Sequence, residues 1–390
     1  MIPQARVQAA IEVLDAVIAA ARSKGAPADR ILSDWFRPRR YAGSGDRRAV
    51  RELVYAAIRS CGEIPLNGRA ALVLLARSDP ALAALFDGSR HGPEPIVADE
   101  PVADAGVAPH WLEDALAASG LDEAEQAALL ERAPLDIRIN RLKAALAVLP
   151  EPGAPTIAPD GLRYPAGTAV EQWAAYGAGA IEVQDAGSQL VCAAVGARPG
   201  EAVVDLCAGA GGKTLALAAA MDDAGKLLAC DADRARLSRL MPRAERAGAH
   251  IIETRLLDGG REAAALADWQ GRADAVLVDA PCSGTGTWRR NPEARWRLTA
   301  AELARLTALQ ARLLDVAAAL VKPGGRLVHV VCSLLDAEGA RQVDSFLARH
   351  SGWRAVPLAL GAGRARGAGI RLTPHHDATD GFFVARLERL

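Results

Sequence analysis

Apolar and polar positions in the first 86 residues follow a helical period. Val7, Ile11, Leu14, Val17 and Ile18 fall on one face, the spacing of a helix with a single buried stripe. The polar turn Arg39-Arg40-Tyr41-Ala42-Gly43-Ser44-Gly45 divides this stretch from a second helix through Leu53, Val54 and Ile58. Ser78 ahead of Asp79-Pro80 reads as a helix start, with proline early in the first turn. Between Asp87 and Gly106 the pattern lapses, and Pro93, Pro95 and Pro101 mark a linker or long loop. Residues 107–190 are mixed. Short helices are expected over 109–118 and 122–132, a strand over Ile137-Arg138-Ile139, and irregular chain in the Pro/Gly-rich run 150–167.

From about residue 196 apolar strands alternate with helices. The strands are Val203–Leu206, Leu227–Cys230, Ile251–Leu256, Ala275–Asp279 and Leu327–Val331. The helix after Thr299 opens on a Thr299-x-x-Glu302 capping box. It turns Leu303, Leu306, Leu313 and Leu320 toward a core and stops at Pro323-Gly324-Gly325. Apolar strands spaced by helices predict an α/β fold, a mostly parallel sheet covered on both faces. Its ligand is expected at the carboxyl ends of the strands. The expected organisation is an all-α domain over 1–86, a linker over 87–106, a small α+β subdomain over 107–190 and a Rossmann-like domain over 191–390.

Composition changes this picture little. Half the 390 residues are apolar, a quarter are charged, and the net charge is -1, so any affinity for nucleic acid must be local. Residues 1–60 are the place to look. They hold eleven cations (Arg6, Arg22, Lys24, Arg30, Arg37, Arg39, Arg40, Arg47, Arg48, Arg51 and Arg59) against six carboxylates. A solvated helix face and an RNA-binding patch explain that surplus equally well. The six cysteines form no C-x-x-C pair, so neither a structural zinc nor any other metal is expected. No apolar run of about 18 residues exists to span a membrane, and no secretory leader is apparent. A reducing cytosol with free thiols is the expectation.

Candidate chemistry begins after the first strand, at Cys207-Ala208-Gly209-Ala210-Gly211-Gly212-Lys213-Thr214. Such a loop lets backbone approach a ligand at a helix N-terminus. A dinucleotide fingerprint wants glycine where Thr214 stands, and a P-loop wants glycine where Cys207 stands. S-adenosylmethionine needs the tight turn without a phosphate cradle, plus an acid for its ribose hydroxyls. Asp231, at the next strand end, is placed for that role or for ordinary helix capping. Asp258, past the third strand, is either an adenine contact or a turn residue beside Gly259-Gly260.

Two further strand ends carry thiols: Asp279-Ala280-Pro281-Cys282-Ser283-Gly284-Thr285-Gly286, and Val331-Cys332-Ser333. Cysteine is usually a small buried hydrophobe, the reading that suits Cys61, Cys192 and Cys230. For Cys282 and Cys332 a chemical role competes. Carbon 5 of cytosine is a poor nucleophile until a thiolate adds to carbon 6. A thiol with a pKa of about 8.5 needs help to ionise at neutral pH. Asp279 is suited to the pyrimidine edge where charge develops.

These motifs, with Trp288-Arg289-Arg290-Asn291-Pro292 after the first cysteine, resemble the signature of the RNA cytosine-5 methyltransferase family, the bacterial 16S rRNA enzymes and their eukaryotic nucleolar relatives. Val183–Gln189 and Asp380–Arg386 look like further landmarks of that family, and the resemblance covers about residues 107–390. It implies S-adenosylmethionine as cofactor, held by residues 207–213, Asp231, Asp258 and Asp279. It implies Cys332 as nucleophile, Cys282 in product release and Asp279 in positioning the cytosine. The implied partner is RNA, rRNA before tRNA, contacted by Arg289 and Arg290 and, through helices similar to an antitermination-factor RNA-binding domain, by Arg47 and Arg48. A monomer is assumed. Ala210 and Val331 stand where the family usually has proline and threonine. A non-catalytic RNA-binding assembly factor and a methyltransferase for protein or small molecules are the competing readings.

Overall fold

The computed structural model describes residues 1–23 and 25–390; Lys24, one of the eleven cations counted above, lies outside them. The chain divides into two compact units, residues 1–131 with 287–299, and residues 132–286 with 300–390. The division falls at 131/132, whereas the break in periodicity suggested 106/107. Proline-rich residues 87–106 are tied down locally: Cys61 bridges Ala105, and Arg69 donates to Glu100 at 2.6 Å and to the Glu94 and Pro95 carbonyls.

The first unit is helical. Helices Pro3–Arg22, Ala28–Phe36, Ser44–Ser60 and Gly68–Arg77 bury Leu14, Val17, Leu32, Val54, Ile58 and Leu72 in one core. Trp296 packs into that core, so residues 287–299 complete it from far along the chain. Wholly buried Arg295 donates to the Ile58 and Cys61 carbonyls at 2.6 and 2.8 Å.

The second unit holds two sheets. In chain order its strands are β1 Leu135–Ile139, β2 Ala154–Pro155, β3 Gly161–Tyr164, β4 Ile181–Val183, β5 Ala202–Asp205, β6 Lys226–Asp231, β7 Ile252–Leu256, β8 Ala273–Asp279, β9 Val321–Val331, β10 Trp353–Val356, β11 Arg364–Arg366, β12 Gly369–Leu372 and β13 Phe382–Arg389. A small sheet has the order β2-β3-β1-β4. The large one runs β11-β12-β13-β9-β8-β5-β6-β7, with β10 also on β13. The five strands β5 to β9 run parallel, as the strand–helix alternation predicted. The segments after β9 add an antiparallel half.

Successive strand residues face opposite sides of the large sheet. Val203, Leu227, Leu277, Val328 and Val330 join one apolar cluster; Val204, Leu228, Val276, Leu327 and Val331 join the other. Helices cover both faces, so these strands read as continuous apolar runs. Helix Ala300–Leu320 packs Leu313 and Leu314 on the second face.

Candidate active site

The carboxyl ends of the parallel strands open into a cleft of about 610 Å³, within the range of small-molecule sites. Leu206 and Cys207 line it after β5, Asp231 at the end of β6, Leu257 after β7, Asp279 at the end of β8 and Cys332 after β9. The chain must turn sharply from β5 into helix Gly212–Ala220. Gly211 caps that helix at φ +88°, and a Cβ there would lie 2.6 Å from Leu240 Cγ. Gly209, at φ +56°, donates its N–H to Asp231 Oδ2 at 2.7 Å, while Asp231 Oδ1 accepts from Asp233 at 2.7 Å. Asp231 thus shapes the glycine loop and still lines the cleft, since a carboxylate offers about four acceptor sites.

Lys213, first residues into the helix, donates to Asp279 Oδ2 at 2.6 Å. Burial is the largest single influence and opposes the ammonium, but the charge and hydrogen bond of Asp279, with Cys192 and Cys332, together outweigh it, and the Lys213 pKa stands above its usual value. Asp205 lies beneath the loop, wholly buried, taking a hydrogen bond from Thr214 at 2.7 Å. Burial lifts its pKa to about 7, against the opposing pull of Thr214.

Cys282 Sγ and Cys332 Sγ are 3.4 Å apart, a contact between residues 50 positions apart in sequence. Two loops make the contact and a buried polar network joins them. Glu338, with no exposed surface, accepts from Ser283 N at 2.9 Å, from the Ser283 hydroxyl and from Gln310 Nε2 at 3.0 Å. Ser283 Oγ meets Ser333 Oγ at 3.1 Å, which meets Thr285 Oγ1 at 3.2 Å, and Thr285 Oγ1 accepts from Leu334 N at 2.8 Å. Gln310 also donates to the Pro281 carbonyl at 2.9 Å. The hydrogen bond with Cys332 is the largest cause, and burial the next, that holds the Cys282 thiol well above its usual pKa. Cys61, Cys192 and Cys230 are buried free thiols, each pushed up to about 12 by burial.

The small sheet braces the glycine loop. Arg243 donates to the Ala210 carbonyl at 2.6 Å and to Glu182 of β4 at 2.8 Å. Gln184 Nε2 reaches the Gly212 carbonyl at 3.4 Å and its Oε1 accepts from Arg138 of β1 at 2.8 Å. The segments 183–189 and 380–386 also converge here. Asp380 N donates to Asp185 Oδ1 at 3.0 Å, and Gly381 N to the Gly286 carbonyl at 2.8 Å. A Cβ on Gly286 would sit 2.1 Å from the Gly381 oxygen, so only glycine fits.

Other expected residues lie elsewhere. Asp258 is exposed and does not line the cleft, although Leu257 and Gly259 do. Trp288 is wholly buried and Arg289 is 5% exposed, its carbonyl accepting from Arg59. Neither presents a face to a nucleic-acid strand; Arg290 is half-buried. Arg47 and Arg48 are exposed, and Arg47 donates to the Ala42 carbonyl. Much of the N-terminal charge is matched locally, by Arg6–Asp46, Arg30–Asp34, Arg37–Asp34, Arg39–Glu12 and Arg51–Asp29 pairs. That favours the solvated-face reading of most of these cations. Sequence reasoning passed over Glu338, Gln310, Glu182 and Arg243, because nothing local distinguishes them from surface residues. Among the described residues no metal-binding cluster is found, and no helix is long and apolar enough to cross a membrane.

Residues 193–388 match the family model described as 16S rRNA methyltransferase RsmB/F. The ribosomal RNA small subunit methyltransferase B of Xanthomonas campestris is 37% identical over 306 residues, 75% of this chain and 68% of its own length. The probable ribosomal RNA small subunit methyltransferase B of a Synechocystis strain is 36% identical over 269 residues, 65% of this chain and 60% of its own. The chain therefore spans about 60% of the length of several such relatives. Among solved structures, that of PH0851 superposes with a TM-score of 0.76 at 26% identity, over 100% of this chain and 99% of its own. A methyltransferase homolog protein from Pyrococcus horikoshii shares the fold, with a TM-score of 0.59 at 24% identity over 72% of this chain and 99% of its own.

Proposed function

Because the chain belongs to the 16S rRNA methyltransferase RsmB/F family, we propose that it methylates carbon 5 of a cytosine in 16S rRNA from S-adenosylmethionine, with Cys332 as the attacking sulfur. The observation that carries this reading is the 3.4 Å approach of two sulfurs at the cleft that Asp231 and Asp279 also line. A methyltransferase working on a better nucleophile than cytosine carbon 5 has no use for that pair.

The residues present fit the cofactor. The cleft takes a nucleoside in volume, and Asp231 keeps acceptor capacity for ribose hydroxyls beside a loop whose glycines let backbone come close. When bound, S-adenosylmethionine supplies a methyl group on a positively charged sulfur. The chain's own part is to make carbon 5 nucleophilic. Cys332 as thiolate forms a bond to carbon 6, and the ring electrons move toward carbon 5 and nitrogen 3. Asp279, fixed by Lys213, can accept from the amino group next to nitrogen 3 and so hold that edge of the ring. With the shared proton on Cys282, its S–H donates to the Cys332 sulfur 3.4 Å away and stabilises the attacking anion. Once Cys332 is bonded to carbon, that anion is gone and Cys282 more easily gives its proton to solvent and becomes a thiolate. It can then take the proton from methylated carbon 5, so that the carbon 5–carbon 6 double bond re-forms and Cys332 leaves as thiolate.

The target base must reach this cleft unstacked, either extruded or already in a single-stranded loop. Cys332→Ala protein is expected to bind S-adenosylmethionine and leave 16S rRNA unmethylated. Bisulfite sequencing of total RNA from a deletion strain is expected to lose a cytosine modification in 16S rRNA. Methylation by the Cys332→Ala protein, or unchanged 16S rRNA with a loss in tRNA, contradicts the reading.

A further inference from the structure

The two sulfurs sit in near-equivalent places, each on a loop after a parallel strand and each lining the same cleft. Something must decide which keeps the proton they share. Glu338 is an asymmetric element set against the Cys282 loop. Its carboxylate has no exposed surface and accepts from neutral donors, Ser283 N, the Ser283 hydroxyl and Gln310 Nε2. A buried carboxylate without a cation is costly to fold around. It is also aimed at one loop only, bonded through both the backbone and the side chain of the residue next to Cys282.

We propose that Glu338 is a positioning residue that fixes the shared proton on Cys282, leaving Cys332 as the nucleophile. This deepens the reading above and rests on Cys332 being the attacking sulfur. A carboxylate accepts only, so the Ser283 hydroxyl must donate to it. Ser333 then donates to Ser283 and Thr285 to Ser333, with Leu334 N closing the chain on Thr285. One negative charge thereby orients every hydroxyl between the two loops. The same charge lies against the Cys282 loop and disfavours a second anion there, adding to the larger effects of Cys332 and burial on that thiol. Among the other charges, Lys213 favours an anion on Cys332 from the opposite side, but it does not touch the hydroxyl chain. Asp279 is paired with Lys213, Arg312 with Glu262 and Arg305 with Glu302. His329 lies under the network with its ring bonded to the Glu338 carbonyl, and burial holds it neutral. Gln310 cannot swap its amide ends, since both Nε2 contacts are to acceptors.

The test is competitive alkylation of the folded, RNA-free protein with iodoacetamide, the label on each cysteine read by peptide mass spectrometry. Buried Cys230, in the same compact unit as Glu338, serves as the internal marker of unfolding. The parent protein is expected to label Cys332 well ahead of Cys282. Glu338→Gln is expected to shrink that ratio at least about fivefold, and Glu338→Asp, which keeps the charge, to preserve most of it. An unchanged ratio in Glu338→Gln overturns the proposal. So does an equal collapse in Glu338→Asp, which would mark a packing role. If Glu338→Gln exposes Cys230, the Glu338→Asp ratio decides alone. A second arm uses RNA carrying 5-fluorocytidine, which traps the attacking sulfur on carbon 6 because fluorine cannot leave carbon 5. Adducts are expected on Cys332 only in the parent and on both cysteines in Glu338→Gln; adducts confined to Cys332 in the variant contradict the proposal. The labelling arm needs no RNA, so absence of methylation by the parent protein removes the functional reading without deciding the role of Glu338.

Discussion

Asp205 is wholly buried with Oδ1 unbonded and a pKa lifted to about 7. In the unfolded chain it releases its proton near pH 4. Between about pH 4 and 7 the folded state therefore holds more protons, and stability falls as pH rises through that window, levelling above it. Asp205→Asn removes the ionisation. Urea melts should show the variant gaining stability relative to the parent from pH 5 to pH 8; a constant difference would contradict the assignment. The thiols were legible at this scale because cysteine after Asp-Ala-Pro and cysteine ending an apolar strand both fall where a parallel sheet presents its ligand. Glu338 was not. Its importance comes from burial, and burial is decided by residues far away in sequence, Ser283 and Gln310.

In the proposed function, cofactor affinity depends on the glycine loop. Gly211→Ala would force a side chain into a left-handed backbone, costing about 1–2 kcal/mol, and would press on Leu240. Weaker S-adenosylmethionine binding by calorimetry, with a lowered melting temperature, is the expected outcome; wild-type values for both contradict it. Lys213→Met frees Asp279 from its 2.6 Å partner. Loss of positioning there should lower kcat at least about tenfold with a smaller change in cofactor affinity, and an unchanged kcat excludes the pair from the chemistry. The parallel strands were readable from their apolar runs, each buried on both faces. The antiparallel half was not specified, because short segments such as Arg364–Arg366 carry no decisive pattern. The Arg243 and Gln184 braces were also hidden, since they join the small sheet to the loop only in three dimensions.

The whole molecule divides in a way that linear order conceals. Residues 287–299 follow the first cysteine motif yet complete the helical unit. The run Trp288-Arg289-Arg290 invited an RNA-clamp reading, but the first two are buried because this segment is core rather than surface. Arg295→Met leaves the buried Ile58 and Cys61 carbonyls without their donor, which should cost about 3 kcal/mol. Thermal unfolding of the helical unit should report that loss; an unaltered transition would remove Arg295 from its supports. The central claim is that Cys332 bonds to the base and Cys282 frees the product. It is tested most directly by mass spectrometry of Cys282→Ala protein incubated with S-adenosylmethionine and 16S rRNA. The account predicts a covalent protein–RNA species whose nucleotide maps to the peptide containing Cys332. A variant that turns over freely without an adduct, or an adduct on another residue, would contradict it.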